Sequence, residues 1–234
     1  MRYSRIVAAL GMLSFVATAA HADLSASVTA TSDYVFRGIS QTKEDPALQA
    51  SLDYSHSSGW YIGAWGTNID FGPDDPADME LDIYTGFAGE TATGLGWDVG
   101  LLHYTYPGAS DYNFLELYGK LSYGLFSGGL AYSNDWANSG EDAFYVSAGV
   151  SVPFASNFTF NLNANYSFGD AFDDTEYMDY MVGIGYTLGS FELGLSYIDT
   201  TLDRGDALFS DADLFNTEGR VVFSVSTTFP WSTH

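Results

Sequence analysis

Phe158-Thr159-Phe160-Asn161-Leu162-Asn163-Ala164-Asn165-Tyr166-Ser167-Phe168 alternates without a break: every even position is apolar and every odd one polar. Side chains of a β-strand point to opposite faces in turn, so this segment has one apolar face and one that water can wet. The same pattern recurs along the chain. It predicts about twelve strands, over 24–37, 47–56, 60–70, 79–90, 95–106, 112–123, 125–136, 143–154, 158–169, 177–188, 191–202 and 217–229. Each is close to the roughly 9–11 residues with which a tilted strand crosses a bilayer.

The connections sharpen the reading. Short ones fall at 57–59, 91–94, 124, 155–157 and 189–190. Longer, acidic ones fall at 41–46, 71–78, 107–111, 137–142, 170–176 and 203–216, and the two kinds strictly take turns. That is the signature of an all-β fold, a transmembrane antiparallel up-and-down β-barrel with short periplasmic turns and longer acidic extracellular loops. A β-sandwich with aromatics inside is the competing fold, and it does not predict the alternation. Outward rows would include Leu48, Ala50, Leu52 and Tyr54, then Phe144 to Phe154 at even positions, and Val221, Phe223, Val225 and Phe229. Strand 60–70 is ambiguous, because Trp60, Tyr61, Ile62, Ala64 and Trp65 occupy both faces. Rings gather at the expected headgroup levels. Tyr34, Phe36, Tyr132, Trp136, Tyr166 and Phe168 lie toward the long loops. Trp60, Trp97, Phe126, Phe154, Phe158, Phe191 and Phe229 lie toward the short turns. Residues 206–215 place Leu208, Ala212 and Phe215 on one helical face, which leaves a short helix and an irregular loop as alternatives for the last connection.

Residues 1–22 read as a cleaved signal peptide: Arg2 and Arg5, a short apolar run, then Ala20-His21-Ala22 as a small-x-small site. Residues 23–234 would form the single barrel domain, exported to the bacterial outer membrane. The chain has 0 Cys, which argues against a small disulfide-stapled secreted domain. Its net charge is −23, and because both signal arginines leave without any acid the remainder carries −25. Such a balance argues against nucleic acid as a partner.

Catalysis has little to work with. Outside the signal the histidines are His56 beside a short turn, His103 on an outward face and His234 at the end, so no base stands where a serine triad in the lumen would need it. The sequence therefore reads as a non-enzyme without a cofactor. The loops at 74–78 and 170–176 concentrate carboxylates of the kind that suit Ca²⁺ or Mg²⁺, but they lack EF-hand spacing and read as solvated rims. A weak divalent-ion site shared with lipopolysaccharide is the alternative.

Period two puts a mixed ladder of charge inside. Asp33 and Arg37 project inward near the outer mouth; Asp82, Glu116 and Arg220 lie in the outer half; Asp53, Asp98, Lys120 and Glu192 lie deeper. Charge at membrane depth is tolerated facing water or a partner charge. Twelve strands about 4.8 Å apart and tilted about 40° give a backbone radius of roughly 12 Å. Side chains halve that, leaving room for ions or small solutes. Acids exceed bases along the lining, so an open pore would favour cations and neutral solutes. If the three bases instead pair with facing carboxylates, the barrel is closed and serves as a surface scaffold or partner-binding protein.

Residues 32–42, Ser-Asp-Tyr-Val-Phe-Arg-Gly-Ile-Ser-Gln-Thr, with 43–54 after them, resemble the first hairpin of the TorF-like porin family of proteobacterial envelope proteins. The likeness continues through 63–70, 80–84, 104–108 and the 220–229 end strand. It implies an outer-membrane barrel acting as a channel, with membrane lipid, lipopolysaccharide and a small-molecule or ionic permeant as partners. It leaves a homo-oligomer open, and it supplies no site residues. The chain departs from common barrels by adding 230–234 after Phe229.

Overall fold

The computed structural model describes residues 23–172, 175–203 and 215–230. The signal segment, the candidate helix of the last loop apart from Phe215, and His234 lie outside the described residues. The strands are β1 (Asp23–Thr31), β2 (Val35–Phe36), β3 (Ile39–Ser40), β4 (Ala47–Ser55), β5 (Trp60–Asn68), β6 (Met79–Glu90) and β7 (Gly96–Thr105). They continue as β8 (Phe114–Tyr123), β9 (Phe126–Ser133), β10 (Ala143–Ala155), β11 (Phe158–Phe168), β12 (Tyr177–Leu188), β13 (Phe191–Thr200) and β14 (Arg220–Phe229). Twelve of these, β1 and β4 to β14, close an antiparallel barrel in which chain neighbours pair and β1 meets β14, with Ala26 opposite Phe229. Closure leaves no strand edge for lipid to strand without partners.

The apolar rows face out. Leu48 is 62% exposed, Leu52 55%, Leu117 51% and Val221 64%, whereas Glu80, Asp82, Glu116, Ser167 and Ser224 are buried. A water-soluble protein has the opposite arrangement; hydrocarbon is the solvent that suits this surface. Trp97, Phe126, Phe154, Phe158, Phe191 and Phe229 are exposed at the short-turn end. At the other end Tyr132, Phe144 and Phe168 form an outward row of rings, with centroids 4.7 Å and 5.1 Å apart.

The first strand is shorter than expected. It stops at Thr31, the last residue with a partner on β4. Arg37 and Gly38 both take positive φ, +48° and +84°. Two such residues make the tight turn whose twist suits a hairpin, here β2–β3. That hairpin folds into the barrel instead of extending its wall. Tyr34 and Phe36 are thus not headgroup aromatics: Tyr34 is buried, and Phe36 packs against the same interior cluster. Trp136 is corrected likewise. It lies in a 3-10 turn, Trp136–Asn138, packed inward on Phe114 and Phe172. Leu125 belongs to the turn with Gly124, since Tyr123 already pairs with Phe126.

The ambiguous strand, β5, turns Tyr61 inward (5% exposed) and Ile62 outward (40%). Its inner face is apolar because the lumen there is packed. Tyr61 lies over Gly86 and Tyr84 over Gly63; a Cβ at either glycine would come within 2.4 Å of the ring or its hydroxyl. The wall from β10 round to β14 carries mostly small polar side chains inside, among them Ser147, Asn161, Asn163, Ser196 and Ser224. The free space therefore lies toward that wall.

Candidate functional site

The hairpin is a bar across the outer third of the lumen. Its root is tied to β14: Asp33 Oδ2 lies 2.8 Å from Arg220 Nε, and both side chains are nearly inaccessible. Asp33 Oδ1 also accepts hydrogen bonds from Ser40 Oγ at 2.7 Å and Thr42 Oγ1 at 3.0 Å. Burial pushes the Asp33 carboxyl above its ordinary range, against the pull of Ser40 and Arg220. Arg220 extends further, donating from Nη2 to the carbonyl of Gly38 at 2.7 Å. At the tip, Arg37 pairs with Glu116 on β8 and sits against the Phe36 and Tyr145 rings. Tyr104 donates to the other Glu116 oxygen at 3.0 Å. Gly38 abuts the β12–β13 wall so closely that a Cβ would meet Thr200 at 2.4 Å and Asp179 at 2.7 Å. An arginine in the left-handed region carries a backbone cost, which its pair with Glu116 and its ring contacts offset.

Outside the bar, rings fill the mouth. Phe71 stands 5.0 Å from Phe215 and 6.1 Å from Tyr106. Trp136 stands 5.1 Å from Phe172, and Ile39 of the hairpin packs into the same group. One exposed tie links the bar to the next loop: Lys43 Nζ to Asp70 Oδ1, 2.8 Å. The Lys43 ammonium holds the Asp70 carboxyl below its usual range.

Below the bar is a cavity of about 150 Å³ lined by Arg37, Glu116, Lys120, Tyr145, Asn163 and Asp179, among others. At roughly 10–15 Å³ of such volume per molecule it holds on the order of ten waters. Deeper still, Tyr61 donates to Asp98 at 2.6 Å, and Asp98 stands opposite Lys120 in register. Asp53 accepts from Tyr84 and, at 2.7 Å, from Ser51. Glu192 accepts from Thr187 at 2.9 Å.

All nine charged residues singled out from sequence lie on the inner side of the barrel, eight of them in three groups. Asp33 with Arg220 and Arg37 with Glu116 fasten the bar; Lys120 borders the cavity; Asp53, Asp98 and Glu192 lie toward the short turns. Asp82 is buried beside Glu80, with its Oδ1 unpartnered. Two acids were missed. Glu80 is 1% exposed and accepts from Tyr34 at 3.3 Å. Asp179 is 5% exposed and accepts from Asn165 at 2.7 Å. Period two would have found both, since Glu80 shares a face with Asp82 and Asp179 lies opposite the apolar row Met178, Tyr180, Val182 and Ile184. His103 is on the lipid side, and His56 bonds Ser58 at the turn. Among the described residues no group of His, Cys, Asp or Glu is placed to hold a metal ion.

A family model described as "Bacterial protein of unknown function (Gcw_chp)" matches residues 16–229. No curated protein matches the chain in sequence. Among solved structures, the KdgM porin superposes with a TM-score of 0.56 at 8% identity, over 90% of this chain and 99% of that one. The NanC porin gives 0.55 at 12% identity, over 88% and 98%. The Acinetobacter baumannii outer membrane protein Omp33 gives 0.50 at 8%, over 91% and 99%. At these identities the likeness is one of fold.

Proposed function

We propose that this chain, which belongs to the Gcw_chp family of bacterial proteins of unknown function, is an outer-membrane channel for passive diffusion of small solutes or ions. The observation that carries the reading is a cavity bordered, among apolar side chains, by the charged Arg37, Glu116, Lys120 and Asp179, inside a barrel whose outside is apolar. A barrel built only as an anchor gains nothing from burying so many carboxylates, because each is costly away from water or a partner. The porin-like fold of KdgM and NanC supports the reading, as does the resemblance of the first hairpin to the TorF-like porins. Residues 1–22, which read as a signal peptide, support export, and the acidic loops would meet lipopolysaccharide through shared divalent cations.

The β2–β3 bar and the aromatic mouth set the outer constriction. Inside, Asp33, Asp53, Glu80, Asp82, Asp98, Glu116, Asp179 and Glu192 face Arg37, Lys120 and Arg220. The excess of acid favours cations and neutral solutes over anions. The ring-filled mouth favours a second reading, a closed barrel acting as a scaffold. Planar-bilayer recordings of the mature chain decide between them. The channel gives unitary currents, with a reversal potential in a KCl gradient displaced toward that of K⁺. A correctly folded barrel that stays silent overturns it.

A further inference from the structure

Two acids in the outer half of the lumen lack a counter-charge. Glu80 and Asp82 stand two residues apart on the inner face of β6, about 7 Å along the strand, and are 1% and 5% exposed. The described bases of the interior are engaged elsewhere: Arg37 pairs with Glu116, Arg220 pairs with Asp33, and Lys120 faces Asp98 and Glu116. The titratable groups around the two acids are phenols and a third acid. They are Tyr34 from the bar, Tyr84 on β6, Tyr104 and Tyr106 on β7, and Glu116 on β8. The phenols of Tyr34, Tyr84 and Tyr104 donate to Glu80, Asp53 and Glu116 respectively. Asp82 Oδ1 is left buried without a donor. Neighbouring carboxylates shut away from water and from bases cannot both carry charge. Glu80, which accepts from Tyr34, is the better placed to keep its own.

We propose that Glu80 and Asp82 hold one proton between them, carried on Asp82, and that loss of this proton as pH rises releases the β2–β3 bar. An ionised Asp82 needs water. The wall cannot supply it by moving, because Asp82 is fixed in the ladder between Trp65 and Tyr104. The bar lies against the same rings through side chains alone, with Tyr34 5.4 Å from Trp65 and Phe36 5.7 Å from Tyr104. It is the neighbour that can withdraw and let water in. The docked bar keeps Asp82 neutral, whereas the released bar leaves it hydrated and charged. Docking therefore takes up one proton. It is strongest where the proton is held, and above that range the docked-to-released ratio falls by up to about tenfold per pH unit. This gives the proposed channel a trigger and rests on the channel reading only for current.

The test follows the mature chain from mildly acid to mildly alkaline pH by three readouts. Infrared difference spectra report protonated carboxyl groups. Trypsin cleavage after Arg37, identified by mass and scaled to an unstructured arginine peptide at each pH, reports release of the bar, since the Arg37 side chain is nearly inaccessible when docked. Planar bilayers report current. The wild type is expected to show a protonated-carboxyl band that Asp82→Asn lacks and that fades as pH rises. Scaled cleavage should climb by up to about tenfold per pH unit over the same range, and stay flat in Asp82→Asn. Glu80→Gln removes the like charge beside Asp82 and should move both titrations to lower pH, which keeps the test open if one variant misfolds. A spectrum in which neither variant removes a carboxyl band overturns the shared proton. Cleavage that varies with pH equally in the wild type and Asp82→Asn overturns the link to the bar. A titrating band and cleavage in a barrel silent at every pH support the switch and overturn the channel; current that rises with them supports both.

Discussion

Arg220→Met should loosen the internal bar without opening the barrel wall. The substitution removes the guanidinium whose Nε stands 2.8 Å from Asp33 Oδ2. It also removes the donor to the Gly38 carbonyl at 2.7 Å. Asp33 keeps Ser40 and Thr42 but loses its counter-charge while remaining buried. Breaking one side of a buried pair costs about 3–5 kcal/mol, most of it from the stranded charge. The β13–β14 ladder is main-chain and survives, so the cost falls on docking of the hairpin. A loss of about 3 kcal/mol changes the docked-to-released ratio by about 10²-fold. Trypsin reads that ratio, because Arg37 lies at the hairpin tip with a nearly inaccessible side chain and is cut only when the bar lets go. Cleavage after Arg37 should accelerate about 10²-fold, and open-channel occupancy should rise with it. Asp33→Asn added to Arg220→Met removes the stranded charge and should recover most of the loss. Wild-type cleavage rates and currents in Arg220→Met would refute the claim that this pair holds the bar.

Leu101→Arg puts a charge on the lipid side near mid-strand of β7 and should destabilise the barrel in bilayers by about 2–4 kcal/mol, measured by urea unfolding. No loss, or a gain in solubility without detergent, would mean that water bathes that face. Gly63→Ala would bring a Cβ within 2.4 Å of the Tyr84 ring and should cost about 1–3 kcal/mol; in a Tyr84→Ala background the same change should be nearly neutral. Asp70, held low by Lys43, stabilises the folded loop above the ordinary aspartate range, and that contribution is lost as pH falls through its depressed value. Asp70→Asn should therefore melt slightly below the wild type at neutral pH and level with it in strong acid, read from thermal scans across pH.

The alternation in 158–168 located β11 almost to the residue, because there the inside is wet and the outside is hydrocarbon. Where both sides of a strand are packed, period two loses its meaning. Tyr61 and Trp65 fill the lumen against Gly86 and Tyr34, so β5 reads as apolar on both faces. The same physics misplaced Tyr34, Phe36 and Trp136. A ring at the end of a strand suits a headgroup region and a plugged mouth equally well, and local sequence does not say which surface it meets. The hairpin hid for a related reason. Tyr34 and Phe36 keep the even-numbered rhythm of Val28 and Ala30, and only Arg37-Gly38, a pair able to turn, marks the reversal. These failures cluster in one region of the molecule, the lumen beside β5 to β8 and the ring-filled mouth above it. An empty aqueous tube would have preserved the alternation there. The breakdown of the pattern therefore marks the solid part of the interior, and the small polar residues from β10 to β14, which keep it, mark the side along which a solute would pass.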